Sequence, residues 1–161
     1  MRLPDAGLAA TDGSTVNLAR LDGLTVCFIY PYTGRPGAAD PVGWDDIPGA
    51  HGSTPQAKAY ASLHRSFSEL GARVFGISLQ DTAWQQEFVA RAGLPFPLLS
   101  DRERVLTNGL ALETFNAGDR SFLRRRALVL RDGTVAFDKT HYAKPDEDAA
   151  EILSWIRNHA G

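Results

Sequence analysis

Apolar residues run almost uninterrupted at two places in the chain. One run is Leu24-Thr25-Val26-Cys27-Phe28-Ile29-Tyr30, closed by Gly23 and Pro31, and the other is Arg73-Val74-Phe75-Gly76-Ile77-Ser78-Leu79. Runs of this length without polar alternation read as strands buried on both faces. After each run the period changes. Ala57, Tyr60, Ala61, Leu63, His64, Phe67 and Leu70 recur at helical spacing, which predicts a helix over 54–70 stopped by Gly71. Gln80-Asp81-Thr82 opens a second helix that runs to Ala92, and Gly93 ends it. A proline-rich turn at 93–97 leads into a short strand, and Asp101 is placed to cap a helix from about 102 to 110. Residues 123–130 and 134–137 flank Asp132-Gly133, a hairpin signal. Asp12-Gly13 is a similar turn, with residues 15–18 pairing back after an irregular lead-in. Over 146–159 an amphipathic helix puts Ala149, Ile152, Leu153 and Ile156 on one face.

Buried strands alternating with helices predict an α/β fold, and the last hairpin makes its central sheet mixed, with helices on both faces. A chain of 161 residues suits one domain, 1–161. Residues 32–52 are rich in Gly, Pro and Asp and predict a long loop, of the kind that borders functional sites.

Charge excludes some partners. The net charge is −2, and Arg124-Arg125-Arg126 is the only basic run, so no nucleic acid is expected. Neither a membrane span nor a signal peptide is expected from the pattern. Cys27 is the only cysteine, which leaves no intrachain disulfide and suits a reducing compartment, so a cytoplasmic location is expected. Its place inside a buried strand reads as core, where a thiol has a raised pKa and little thiolate. The four histidines are scattered, and no metal or cofactor is expected.

The candidate chemistry lies in Ile47-Pro48-Gly49-Ala50-His51-Gly52-Ser53-Thr54-Pro55-Gln56. Ser53 and Thr54 suit an N-cap, and Pro55 suits a first helical turn. The glycines let the backbone approach closely. Free N–H groups and the helix dipole at such an end favour an anion.

Residues 30–37, Gly43-Trp44, the 47–56 stretch and Leu94-Pro95-Phe96-Pro97-Leu98-Leu99-Ser100-Asp101 resemble the peroxiredoxins. The likeness is to their bacterioferritin-comigratory (Q-type) branch, with an insertion before the active-site helix, and it extends over residues 8–158. It implies a thioredoxin-like fold and a thiol-dependent peroxidase that reduces hydrogen peroxide or organic hydroperoxides. Thioredoxin or another small thiol would be the reductant, and the chain would be a monomer or homodimer. The resemblance places the peroxidatic cysteine at position 53, where this chain has Ser53. Pro31 matches the family's first active-site proline; the resemblance implies a Thr three residues before the cysteine, where this chain has Ala50, and Thr33 is the candidate for the hydroxyl. The helper arginine matches Arg125, followed by Ala127 where the family has Thr or Ser. Strand alternation turns Arg124 and Arg126 to the opposite face. Lys58 occupies the place of the Q-type resolving cysteine. Two alternatives stay open: a serine substituted into an active enzyme, or a natural pseudo-peroxidase acting as a binding or interaction protein. Either way the chain as written is expected to be inactive, with its anion pocket intact.

Overall fold

A computed structural model of the protein describes residues 1–140, 142 and 144–159. His141, Ala143 and the last two residues of the expected domain lie outside the described residues. Among the described residues nine strands run in chain order as β1 (Leu8–Ala10), β2 (Thr15–Val16), β3 (Leu24–Ile29), β4 (Ala72–Ser78), β5 (Leu98–Ser100), β6 (Thr114–Ala117), β7 (Arg120–Leu123), β8 (Arg126–Arg131) and β9 (Thr134–Lys139). The helices are α1 (Ser53–Ser62), α2 (His64–Glu69), α3 (Thr82–Ala92), α4 (Val105–Gly109) and α5 (Asp148–His159). Seven strands form one sheet in the order β2-β1-β5-β4-β3-β8-β9, while β6 and β7 pair separately. β3, β4 and β5 are parallel and the other pairs antiparallel, so the expected mixed sheet is present.

Register explains the two sides of the core. Val26 pairs with Val74 and Val129, so these three share one face, while Cys27, Phe75 and Leu128 share the other. The first face packs against Ala57 and Tyr60 of α1, Phe67 of α2, Phe88 of α3 and Ile152 of α5. The second is covered by Leu3, by a 3-10 turn at Leu18–Arg20, and by Leu106 and Leu110 at α4. Helices therefore lie on both faces, unevenly.

Three expected elements change. The helix over 54–70 divides at Leu63 into α1 and α2. Ser62 Oγ donates to the Ala59 carbonyl at 3.0 Å, the same oxygen that accepts from the Leu63 N–H at 3.2 Å. Such back-bonding competes with the helical ladder and bends it. The helix expected over 102–110 is only α4, because Asp101 accepts from the N–H groups of Leu106 (3.0 Å) and Thr107 (2.8 Å) and so starts the helix late. The strand expected over 123–130 is broken at 124–125, between β7 and β8. The loop over 32–52 is packed rather than open. Trp44 lies 4.9 Å from Phe122 and 5.4 Å from Tyr32, ring centre to ring centre, which fixes the loop to the β6–β7 hairpin.

One close approach sets the floor under α1. Gly76 lies beneath the Phe28 ring, and a Cβ at 76 would sit 2.6 Å from Phe28 Cζ and 2.6 Å from Leu98 Cδ2. Phe28 stacks on Tyr60 of α1 at 4.5 Å. Gly76→Ala is therefore an overpacking change, expected to destabilise by about 1–3 kcal/mol in urea unfolding. Unchanged stability would show that the ring can move aside. Cys27 has no exposed surface, and burial pushes its thiol up to about 12. A thiol reagent should label it in denaturant and, in the native protein, at least roughly 10³-fold more slowly, since labelling then waits on opening. Native labelling at the denatured rate would remove Cys27 from the core.

Candidate active site

The chain enters α1 through Gly52, whose φ of 114° is open to glycine and strained for other residues. A Cβ there would also meet Pro145 Cγ at 2.8 Å. Gly52 is the N-cap and offers no side chain, which corrects the expected cap at Ser53 or Thr54. Ser53 is instead the first helical residue, 4% exposed, and its hydroxyl is not spent on its own helix.

Arg125 meets that hydroxyl. It lies between β7 and β8 with 8% of its surface exposed. Nη1 donates to Ser53 Oγ at 3.3 Å and to Gln56 Oε1 at 2.5 Å. Nη2 donates to the carbonyls of Gly49 (3.3 Å) and His51 (3.2 Å). Burial lowers the Arg125 pKa to about 10, so the guanidinium stays charged at neutral pH. Its neighbours point elsewhere. Arg124 is exposed and pairs with Glu113 at 3.7 Å, and Arg126 pairs with Asp138 at 2.5 Å. Arg125 is therefore the arginine at position 53, placed there from the break between β7 and β8 rather than from a strand.

Behind the arginine lies a network the sequence reading missed. Gln56 Nε2 donates to Asp148 Oδ2 at 3.0 Å, and the Tyr60 hydroxyl donates to the same oxygen at 2.7 Å. Two signals were available. Ser53-x-x-Gln56 has the spacing of a capping box, although Gln56 here turns to Arg125. Asp148 also falls on the buried stripe with Ala149, Ile152 and Ile156, where an acid needs a partner.

Thr33 is corrected. It is buried, and its hydroxyl donates to Gln80 Oε1 at 3.2 Å. Its carbonyl accepts from Gln80 Nε2 (3.0 Å) and Trp84 Nε1 (2.7 Å). Tyr32 and Gly34, rather than Thr33, line the cleft at Ser53. Pro31 is buried just after β3 and lines neither cleft described here. Ser53 opens on a cleft of about 330 Å³ lined by Tyr32, Asp40, Trp44 and His51. Arg125 borders a second cleft of about 520 Å³, with Ile47, Phe115, Arg124 and Tyr142. His51 borders both, and its Nε2 lies 2.6 Å from Asp45 Oδ1. Among the described residues no cluster of acidic, His or Cys side chains could hold a metal ion.

The Redoxin family model matches residues 1–153. Peroxiredoxin Q, chloroplastic, of Triticum aestivum is 29% identical over 159 residues, which is 96% of this chain and 64% of that protein. The chain thus spans less than two thirds of the length of that plant relative. Peroxiredoxin Bcp of Bacillus subtilis is 25% identical over 162 residues, covering 98% of this chain and 93% of the relative. Among solved structures, a cysteine-to-serine mutant of Xanthomonas campestris peroxiredoxin Q superposes with a TM-score of 0.78 at 23% identity, covering 100% of this chain and 98% of the other. Peroxidoxin BcpB from Mycobacterium tuberculosis gives 0.78 at 22% identity, covering 99% and 96%. The fold is therefore the thioredoxin-like fold of the peroxiredoxins. With the family model spanning nearly all of its length, the chain belongs to the Redoxin family, in the Q-type peroxiredoxin branch.

Proposed function

We propose that this chain is built as a thiol-dependent peroxidase for hydrogen peroxide or organic hydroperoxides, and that Ser53 in the nucleophile's place leaves it without turnover. The observation that carries this reading is the pair of buried groups at the start of α1, Ser53 Oγ and Arg125 Nη1, 3.3 Å apart.

A thiol attacks peroxide as thiolate, and an unperturbed cysteine ionises near pH 8.5, about 1.5 units too high for neutral conditions. A helix N-terminus and an adjacent guanidinium both favour the anion. The same donors orient a peroxide and stabilise charge on the departing oxygen. In the attack a sulfur–oxygen bond forms and the O–O bond breaks. The electron pair leaves with the second oxygen, which takes a proton, and the sulfur becomes a sulfenic acid. An external thiol would reduce it, thioredoxin or another small thiol. Within the chain, exposed Lys58 stands where the branch has its second cysteine, and Cys27 is enclosed. The proposed setting is a compartment that keeps thiols reduced, the cytoplasm.

A serine hydroxyl is far less acidic than a thiol and forms no sulfenic acid. The pocket nonetheless keeps two sets of donors that do not depend on sulfur, the Arg125 guanidinium and the free N–H groups at the start of α1. This supports a second reading, a pseudo-peroxidase that binds a small anion or peroxide-like ligand without turnover.

The test is peroxide consumption with a thiol reductant. The chain with Ser53 should show none, and Ser53→Cys should be active. In that variant Arg125→Ala should slow peroxide reduction about 10²-fold and raise the thiol pKa by about one unit. Robust turnover by the serine chain, or a folded but inactive Ser53→Cys protein, would overturn the peroxidase reading.

A further inference from the structure

Asp148 is an acid its own helix does not use. It opens α5, where a carboxylate ordinarily accepts from the first free N–H groups. Here the side chain is fully buried and Oδ2 serves Gln56 and Tyr60 instead. Oδ1 accepts no hydrogen bond among the described residues, although Lys139 Nζ stands 3.6 Å away. Burying a carboxylate so incompletely paired is unfavourable, and packing alone does not call for it.

What the acid decides is the direction of Gln56. A carboxamide has one donating end and one accepting end. Oδ2 already accepts a hydrogen bond from the Tyr60 hydroxyl and faces Gln56 as an acceptor, so the amide's NH₂ must point to α5. Its oxygen is thereby turned to Arg125 Nη1, 2.5 Å away. Were the amide reversed, its NH₂ would face the guanidinium. Nη1 would then be driven off Gln56 and, with it, off Ser53 Oγ.

We infer that Asp148 is a positioning residue for side chain 53, acting through the orientation of Gln56 to hold Arg125 against it. The inference rests on the peroxidase reading above. Lys139 of β9, Glu151 of α5, Tyr60 of α1 and Tyr142 face the carboxylate, with Arg125 beyond Gln56. Burial raises the Asp148 pKa, against the hydrogen bonds from Tyr60 and Gln56 and the charge of Lys139. A proton taken up there has Oδ1 free to receive it, so Oδ2 still accepts and the order of donors survives protonation.

The experiment follows thiolate absorbance against pH in Ser53→Cys, where Cys27 stays silent because of its burial. Adding Asp148→Leu removes the acceptor. It should raise the pKa of the introduced thiol by about one unit, which lowers the thiolate fraction at neutral pH. Adding Asp148→Asn should act in the same direction, because Lys139 draws the new amide oxygen and leaves its NH₂ toward Gln56. Circular dichroism checks each fold, and if Asp148→Leu does not fold, Asp148→Asn carries the test. An unchanged thiol pKa in folded Asp148→Asn would overturn the inference. The titration uses no peroxide. A Ser53→Cys protein that titrates as described but consumes no peroxide would therefore count against the peroxidase reading alone.

Discussion

Arg125 carries a full charge into the protein with only neutral oxygens in direct contact, and the architecture of the site follows from satisfying it. A buried charge left without partners would cost several kcal/mol. Here four acceptors surround it: the carbonyls of Gly49 and His51, the Gln56 amide oxygen and Ser53 Oγ. They come from the loop before α1 and from its first turn, so one side chain at the edge of β8 fixes where the helix begins. The nearest carboxylate is one residue removed, behind Gln56. A carboxylate in direct contact would neutralise the guanidinium. A neutral amide in between leaves most of its field for whatever occupies position 53.

That arrangement explains why a serine can stand in the site without dismantling it. Gly52 sets the entry angle, Phe28 over Gly76 supports Tyr60, and Tyr60 holds Asp148. None of these contacts involves side chain 53. The hydroxyl is also a weak partner, since its 3.3 Å bond to Nη1 is longer than the 2.5 Å bond from the same nitrogen to Gln56. An ionised sulfur in that place would meet a donor already held in position, and this is the preorganisation that acid–base tuning needs.

Much of the scaffold was legible because hydrophobic period is a strong signal. The strands at 24–30 and 73–79, the α3 boundaries set by Asp81 and Gly93, and the turn at Asp132-Gly133 all follow from local rules. What escaped depends on contacts distant in sequence. The β6–β7 hairpin has a short exposed turn at Gly118-Asp119, and its strands gain stability only against Trp44 and Tyr32. Thr33 was chosen by its residue type, whereas its facing is decided by Gln80 and Trp84, some fifty residues away. Gln56 and Asp148 are 92 residues apart, and neither signals the other in sequence.

The loop before α1 belongs to the same construction. It supplies two of the four acceptors around Arg125, the Gly49 and His51 carbonyls. Carbonyls on a free loop would be poor acceptors, because ordering them on each occasion costs entropy, about 1–2 kcal/mol per backbone residue fixed. Trp44 removes that freedom in advance. Its indole is packed between Tyr32 and Phe122 and close to Phe115. The aromatic cluster therefore does for the guanidinium's Nη2 side what Asp148 and Gln56 do for its Nη1 side. It holds an acceptor still, so that the charge is aimed before any ligand arrives.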